Sequence, residues 1–150
     1  MDFSVITDYL VIGTTPRSEA YHTLRGMGVK LVINMRWERR PYPDHHAQPI
    51  PALWLPTFDS PFIPVPVHVL LRGVRAALPV IDGGGSVYVH CQQGRHRGVA
   101  MGSAVLIAKG HSPEEAMQLI KGRRPAADPR IWYIRSQILR FAEAWRRADE

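Results

Sequence analysis

The stretch His90-Cys91-Gln92-Gln93-Gly94-Arg95-His96-Arg97-Gly98 decides how this chain is read. Before it stands Ser86-Val87-Tyr88-Val89, whose apolar β-branched residues predict a short buried strand. After it the chain is almost wholly apolar as far as Ala108, which predicts a helix buried on most sides. The segment is therefore a strand, a short loop and the opening turn of a helix. Such a loop turns several backbone N–H groups into one concavity, and the helix dipole adds positive potential there. The only cysteine of the chain, Cys91, falls at the base of that bowl, where a thiol is stabilised as thiolate.

Arg97 follows six residues later, in the first helical turn, and its planar guanidinium can grip two oxygens of a phosphoryl group at once. Gly94 suits a backbone that turns sharply and approaches an anion closely. The pattern His-Cys-x-x-Gly-x-x-Arg arises by chance in on the order of one chain in several thousand at average residue usage. Gln92, Gln93, Gly94, Arg95, His96 and Gly98 are the candidate phosphate-binding positions, mainly through their amides, and His90 is a candidate supporting residue for the Cys91 thiolate.

A leaving alkoxide or phenoxide needs a proton. Asp59, in Phe58-Asp59-Ser60-Pro61, lies 32 residues before Cys91 and follows a short predicted strand at Leu53 to Leu55. It can act as general acid in a first step and as base toward water in a second. Asp44 and Asp82 compete for that role and rank below it, Asp44 in another loop and Asp82 at a helix end.

Further out, strands are predicted at Tyr9 to Ile12 and Leu31 to Asn34, and Thr15-Pro16 is read as the start of a helix running to about Met27. Val67, Leu70, Leu71, Val74, Leu78 and Ile81 recur at helical spacing, and Gly83-Gly84-Gly85 stops that helix. Ser112-Pro113-Glu114-Glu115 has the form of a capping box, and Asp128-Pro129 is read as opening a last helix with Ile134, Ile138, Phe141 and Trp145 inward. Strands alternating with helices predict an α/β fold: one domain over residues 1–150, with a central, mainly parallel sheet flanked by helices on both sides. Ligands in such folds sit beyond the carboxyl ends of the strands, where Cys91 falls.

The chain has 150 residues, 45% hydrophobic and 21% charged, the composition of a soluble globular protein. No apolar run is long enough to cross a bilayer and the N-terminus carries no secretory pattern, so a cytoplasmic location is expected. One cysteine excludes an internal disulfide and cannot alone build a thiolate metal site. His45-His46 with Asp44 matches no strong ligand spacing and is read as a solvated loop, and Trp37, Trp54, Trp132 and Trp145 are read as packing residues. A net charge of +6 favours anionic partners: phosphoesters, nucleic acid or acidic protein surfaces.

The Cys91 loop resembles the signature of the protein tyrosine phosphatase superfamily, and the chain as a whole resembles a compact dual-specificity phosphatase. The likeness runs from the early strand through Val32-Ile33-Asn34-Met35-Arg36, the Asp59 loop, the Cys91 loop and Arg123-Arg124-Pro125 to the last helix with Gln137. It implies a cysteinyl-phosphate intermediate, no metal or other cofactor, the general-acid role for Asp59, and a phosphorylated protein or small phosphomonoester as substrate. His96 and its neighbours are also similar to plant and fungal phosphatases of inositol pyrophosphates, which carry basic residues where this chain has Gln92 and Gln93. The family places Ser or Thr after the loop arginine to assist departure of the cysteine sulfur. Here that residue is Gly98, so slow breakdown of the intermediate is expected. The alternatives are a phosphate-binding pseudophosphatase, which Gly98 suggests, a rhodanese-like sulfurtransferase, which Arg97 and the Asp59 spacing disfavour, and a phosphatase of inositol phosphates or of RNA 5′-phosphates.

Overall fold

The computed structural model describes residues 1–148. A five-stranded sheet in the order β1-β2-β5-β3-β4 forms its centre, built from β1 (Phe3–Thr7), β2 (Leu10–Gly13), β3 (Val29–Arg36), β4 (Ala52–Thr57) and β5 (Ser86–His90). Only β1 and β2 pair antiparallel; β2, β5, β3 and β4 pair parallel. The middle strand, β5, is buried at every position, as its run of Val, Tyr and Val dictates in a parallel sheet covered on both faces.

Strand alternation divides the core. Val87 and Val89 face the larger cluster with Leu10, Ile12, Leu31, Ile33 and Met35, whereas Tyr88 faces a smaller one with Val11, Tyr21, Leu24 and Val32. The helices are α1 (Tyr21–Gly26), α2 (Val67–Asp82), α3 (Arg97–Ala108), α4 (Pro113–Arg123) and α5 (Trp132–Ala148). Those from α2 onward contribute to the larger cluster and α1 to the smaller, so helices do flank both sides, unequally. In α3 every residue from Arg97 to Ile107 is buried, which is why its sequence lacks a polar face.

Three local expectations are corrected. Phe3–Thr7 is an additional edge strand, joined to β2 by the tight Asp8-Tyr9 turn, and its irregular burial and a register shift hid its period of two. Thr15 caps no helix: the chain stays extended through Arg17, makes one 3₁₀ turn at Ser18–Ala20, and becomes helical at Tyr21. The last helix begins at Trp132, so Asp128 stands free of it. The capping box at Ser112 forms as read, with its hydroxyl accepting from Glu115 N–H at 3.1 Å and the Glu115 carboxylate accepting from Ser112 N–H at 2.9 Å.

Candidate active site

The carboxyl end of β5 passes into residues 91–96 and then into α3. The carbonyls of this loop turn outward. Arg124 donates to Gln93 O at 2.8 Å and to Gly94 O at 2.9 Å, Arg95 O accepts from Asp128 N–H at 3.0 Å, and His96 O accepts from Ala100 N–H at 2.9 Å. Because every peptide here is trans, outward carbonyls force the following N–H groups inward. The bowl of amides is thus held from behind, chiefly by Arg124, whose side chain is 2% exposed and is itself paired with Asp2 and Ser4. Gly94 has φ +65°, and a Cβ there would stand 2.9 Å from both Arg124 Nη2 and Gly13 O, so glycine is required twice over.

Cys91 lies at the floor, 3% exposed. Its carbonyl accepts from the Thr15 hydroxyl at 3.3 Å, and Arg36 donates to that hydroxyl at 2.7 Å. The Thr15-Pro16 signal therefore marks a strut under Cys91. His90, directly before Cys91, is buried, which pushes its imidazole down to about 3 and keeps it neutral. Gly98 rests against the cysteine: a Cβ there would be 3.6 Å from Cys91 Sγ and 3.4 Å from its backbone N.

Arg97 is held on one edge of its guanidinium. Nη1 and Nη2 donate to the two carboxylate oxygens of Glu38 at 2.9 and 3.0 Å, and Nη1 also donates to Thr57 O at 2.9 Å. Among the described residues Nε, although buried, has no partner. The edge formed by Nε and the second Nη2 hydrogen is therefore the one left for an oxyanion, in the fork geometry that matches two phosphoryl oxygens. The hydrogen bond from Arg97 holds the Glu38 carboxyl down to about 2. Burial works against the Arg97 charge, and Glu38 together with the Cys91 and Asp59 charges more than offsets it. The sequence reading missed Glu38, which lies 59 residues from Arg97 in the Arg-rich loop after β3.

Asp59 is brought to the mouth of the bowl. His96 Nδ1 lies 2.9 and 3.1 Å from its two carboxylate oxygens, and the Tyr133 hydroxyl donates to Oδ1 at 2.9 Å. Burial, and then the bond to Asp59, push Tyr133 up to about 12, so it remains a donor at neutral pH. Asp59, Cys91, Gln92, Gln93, Arg95, His96 and Arg97 line a hollow of about 140 Å³, below the range usual for drug-sized ligands. A wider hollow of about 510 Å³ beside α1 contains none of these groups, so chemistry and not size picks out the site.

The rival carboxylates are elsewhere. Asp44 ties down its own loop by pairing with Arg25 and accepting from Ile50 N–H at 2.8 Å and His46 N–H at 3.1 Å. Asp82 faces Lys109 at 3.6 Å, and it precedes β5, a full strand length from Cys91. Two tryptophans read as packing residues are instead on the surface: Trp37 is 53% exposed and sits 5.1 Å from the Phe58 ring, and Trp132 is 68% exposed beside Tyr133.

No family model matches the chain. Dual specificity phosphatase 28 of mouse is 32% identical over 133 residues, covering 87% of this chain and 78% of the mouse protein. The human protein of that name is 32% identical over 137 residues, covering 90% and 74%. The crystal structure of human DUSP28 matches with a TM-score of 0.83 at 26% identity over 96% of this chain and 95% of that one. PTPMT1 in complex with PI(5)P matches with a TM-score of 0.84 at 25% identity over 99% of each. These relatives are phosphatases, so the sulfurtransferase alternative finds no support among them. By sequence and fold this chain belongs to the dual-specificity phosphatases of the protein tyrosine phosphatase superfamily, and it is a cysteine-dependent phosphatase.

Proposed function

We propose that Cys91 is the nucleophile of this phosphatase, Arg97 the phosphoryl clamp and Asp59 the general acid and base, within one catalytic domain. The Cys91 thiolate attacks phosphorus, the bond from phosphorus to the ester oxygen breaks, and Asp59 gives its proton to that oxygen. Water then attacks the cysteinyl phosphate, Asp59 takes the proton, and the thiolate leaves as phosphate is released. The inward amides of residues 94–97 and the free edge of Arg97 stabilise the equatorial oxygens in both steps. Neutral His90 supports the thiolate from the strand end. The observation that carries this reading is that Asp59, from the loop after β4, lines one small hollow with Cys91 and Arg97 of the loop after β5.

Gly98 supplies no hydroxyl to the departing sulfur, so the second step is the slow one. A single phosphomonoester, on a protein or a small molecule in the cytoplasm, fits a hollow of this size. A phosphoinositide substrate, suggested by the PTPMT1 complex, is less well served: Gln92 and Gln93 on the exposed rim bring no charge to additional phosphates.

The test is p-nitrophenyl phosphate hydrolysis by wild type and Cys91→Ser, in EDTA, with early time points resolved. Activity that survives chelation, vanishes in the variant and begins with a burst is expected. Hydrolysis by folded Cys91→Ser would overturn the assignment.

A further inference from the structure

His96 enters the loop motif as one of its variable positions, yet its side chain makes more contacts across the site than amide donation requires. It directly precedes α3, and its ring, 16% exposed, is set between three other segments. On one side Nδ1 meets both oxygens of Asp59. On the other, Nε2 lies 3.5 Å from Asp128 Oδ2, in the connection between α4 and α5. The Tyr133 ring stands edge-on at 5.8 Å.

The loop that carries Asp59 has little else to hold it in place. Residues 58–66 connect β4 to α2 and include Pro61, Pro64 and Pro66, which cannot donate backbone hydrogen bonds. Phe62 is 90% exposed and Ile63 is 48% exposed; Val65, at the far end, is buried. At the Asp59 end the ties are the Phe58 ring against exposed Trp37 and the two donors to the carboxylate. An acid on such a loop delivers its proton only if something fixed keeps it over the leaving group, because misplacement by about 1 Å is costly.

We propose that His96 is a positioning residue for Asp59: it clasps the acid-bearing loop onto the start of α3 and so couples the carboxyl to the same loop that binds the phosphoryl group. This rests on Asp59 being the general acid.

The test compares kcat/KM on phenyl phosphate and on p-nitrophenyl phosphate, since proton donation matters most for the poorer leaving group. The ratio of the two rates is internal to each variant, so a loss of folded fraction cancels from it. Asp59→Asn is expected to lower the phenyl to p-nitrophenyl ratio by about a hundredfold, the lower end of a general acid's contribution. His96→Ala should lower it by about tenfold. The double variant should be no lower than Asp59→Asn alone, because the two residues act as one unit. In His96→Asn the side-chain amide nitrogen takes the place of Nδ1, and the ratio should return to within about threefold of wild type. If His96→Ala slows both substrates equally while Asp59→Asn does not, the clasp is refuted and Asp59 stands. If Asp59→Asn leaves the ratio unchanged, the assignment of Asp59 fails and takes the clasp with it. Should His96→Ala not fold, His96→Leu against His96→Asn carries the same comparison.

Discussion

Glu38→Gln separates Arg97, the proposed phosphate clamp, from what holds it. In the wild type both oxygens of Glu38 accept from Arg97, whose side chain is 4% exposed, while the carboxylate is 28% exposed. Glutamine keeps one acceptor and points an amide N–H at a guanidinium N–H, so one charge-assisted bond is lost and its donor opposed. A bond of that kind is worth about 1.5–3 kcal/mol when buried. Partial access to water reduces this to about 1–2 kcal/mol, or about 5- to 30-fold in kcat/KM if Arg97 is used in the transition state. The second readout is pH. The Arg97 hydrogen bond depresses the Glu38 carboxyl to about 2, below its ordinary value in the unfolded chain. A depressed acid contributes stability that is complete above that ordinary value, near pH 4.3, and is lost as pH falls through the folded value near 2. The difference in melting temperature between wild type and Glu38→Gln should therefore be greatest above about pH 5 and shrink toward about pH 2. Steady-state kinetics on p-nitrophenyl phosphate and calorimetric melting across that range read both effects. A variant within twofold of wild type in kcat/KM, with a melting difference that ignores pH, would refute the reasoning.

Three further outcomes are expected. Gly98→Ser places its Cβ 3.4–3.6 Å from the nearest Cys91 atoms, ordinary contact, so the hydroxyl fits beside the sulfur; steady-state turnover should rise and the burst should diminish, and an unchanged slow phase would show that intermediate breakdown is not limiting. Arg124→Ala leaves the Gln93 and Gly94 carbonyls unpaired behind the loop, costing about 2–4 kcal/mol, read as a fall in melting temperature of roughly 5–15 °C together with weaker inhibition by orthovanadate. Gly94→Ala must adopt φ +65° and displace both Arg124 and Gly13 O, so a folded variant should lose phosphate binding while Gly122→Ala, where a Cβ meets nothing within 4 Å, melts no lower than wild type.

Much of the fold was legible because the chain is locally consistent. Val87-Tyr88-Val89 could only be a buried strand, residues 98–108 only a buried helix, and the glycine run at 83–85 and the box at Ser112 mark element ends by backbone chemistry alone. Thr15 and Asp128 misled for one reason. Each carries the short polar side chain of a helix cap, yet the Thr15 hydroxyl donates to the carbonyl of Cys91 and Asp128 lies ahead of the helix with its carboxylate 3.5 Å from the His96 ring. Trp37 and Trp132 misled in the opposite way, since a large ring is read as core until its neighbours are known to be solvent.

Cys91, Gly94 and Arg97, the proposed nucleophile, loop glycine and clamp, can be picked out from sequence alone because they lie within one short loop whose spacing is set by its own backbone. What holds them emerged with the fold. Glu38 behind Arg97, Arg124 behind the loop carbonyls, and His96 and Tyr133 against Asp59 depend on segments 30 or more residues apart meeting at one end of the sheet. Local propensity carries no record of such meetings. They are fixed when the parallel strands β2, β5 and β3 register and deliver their carboxyl ends, with the loops that follow, to the same face.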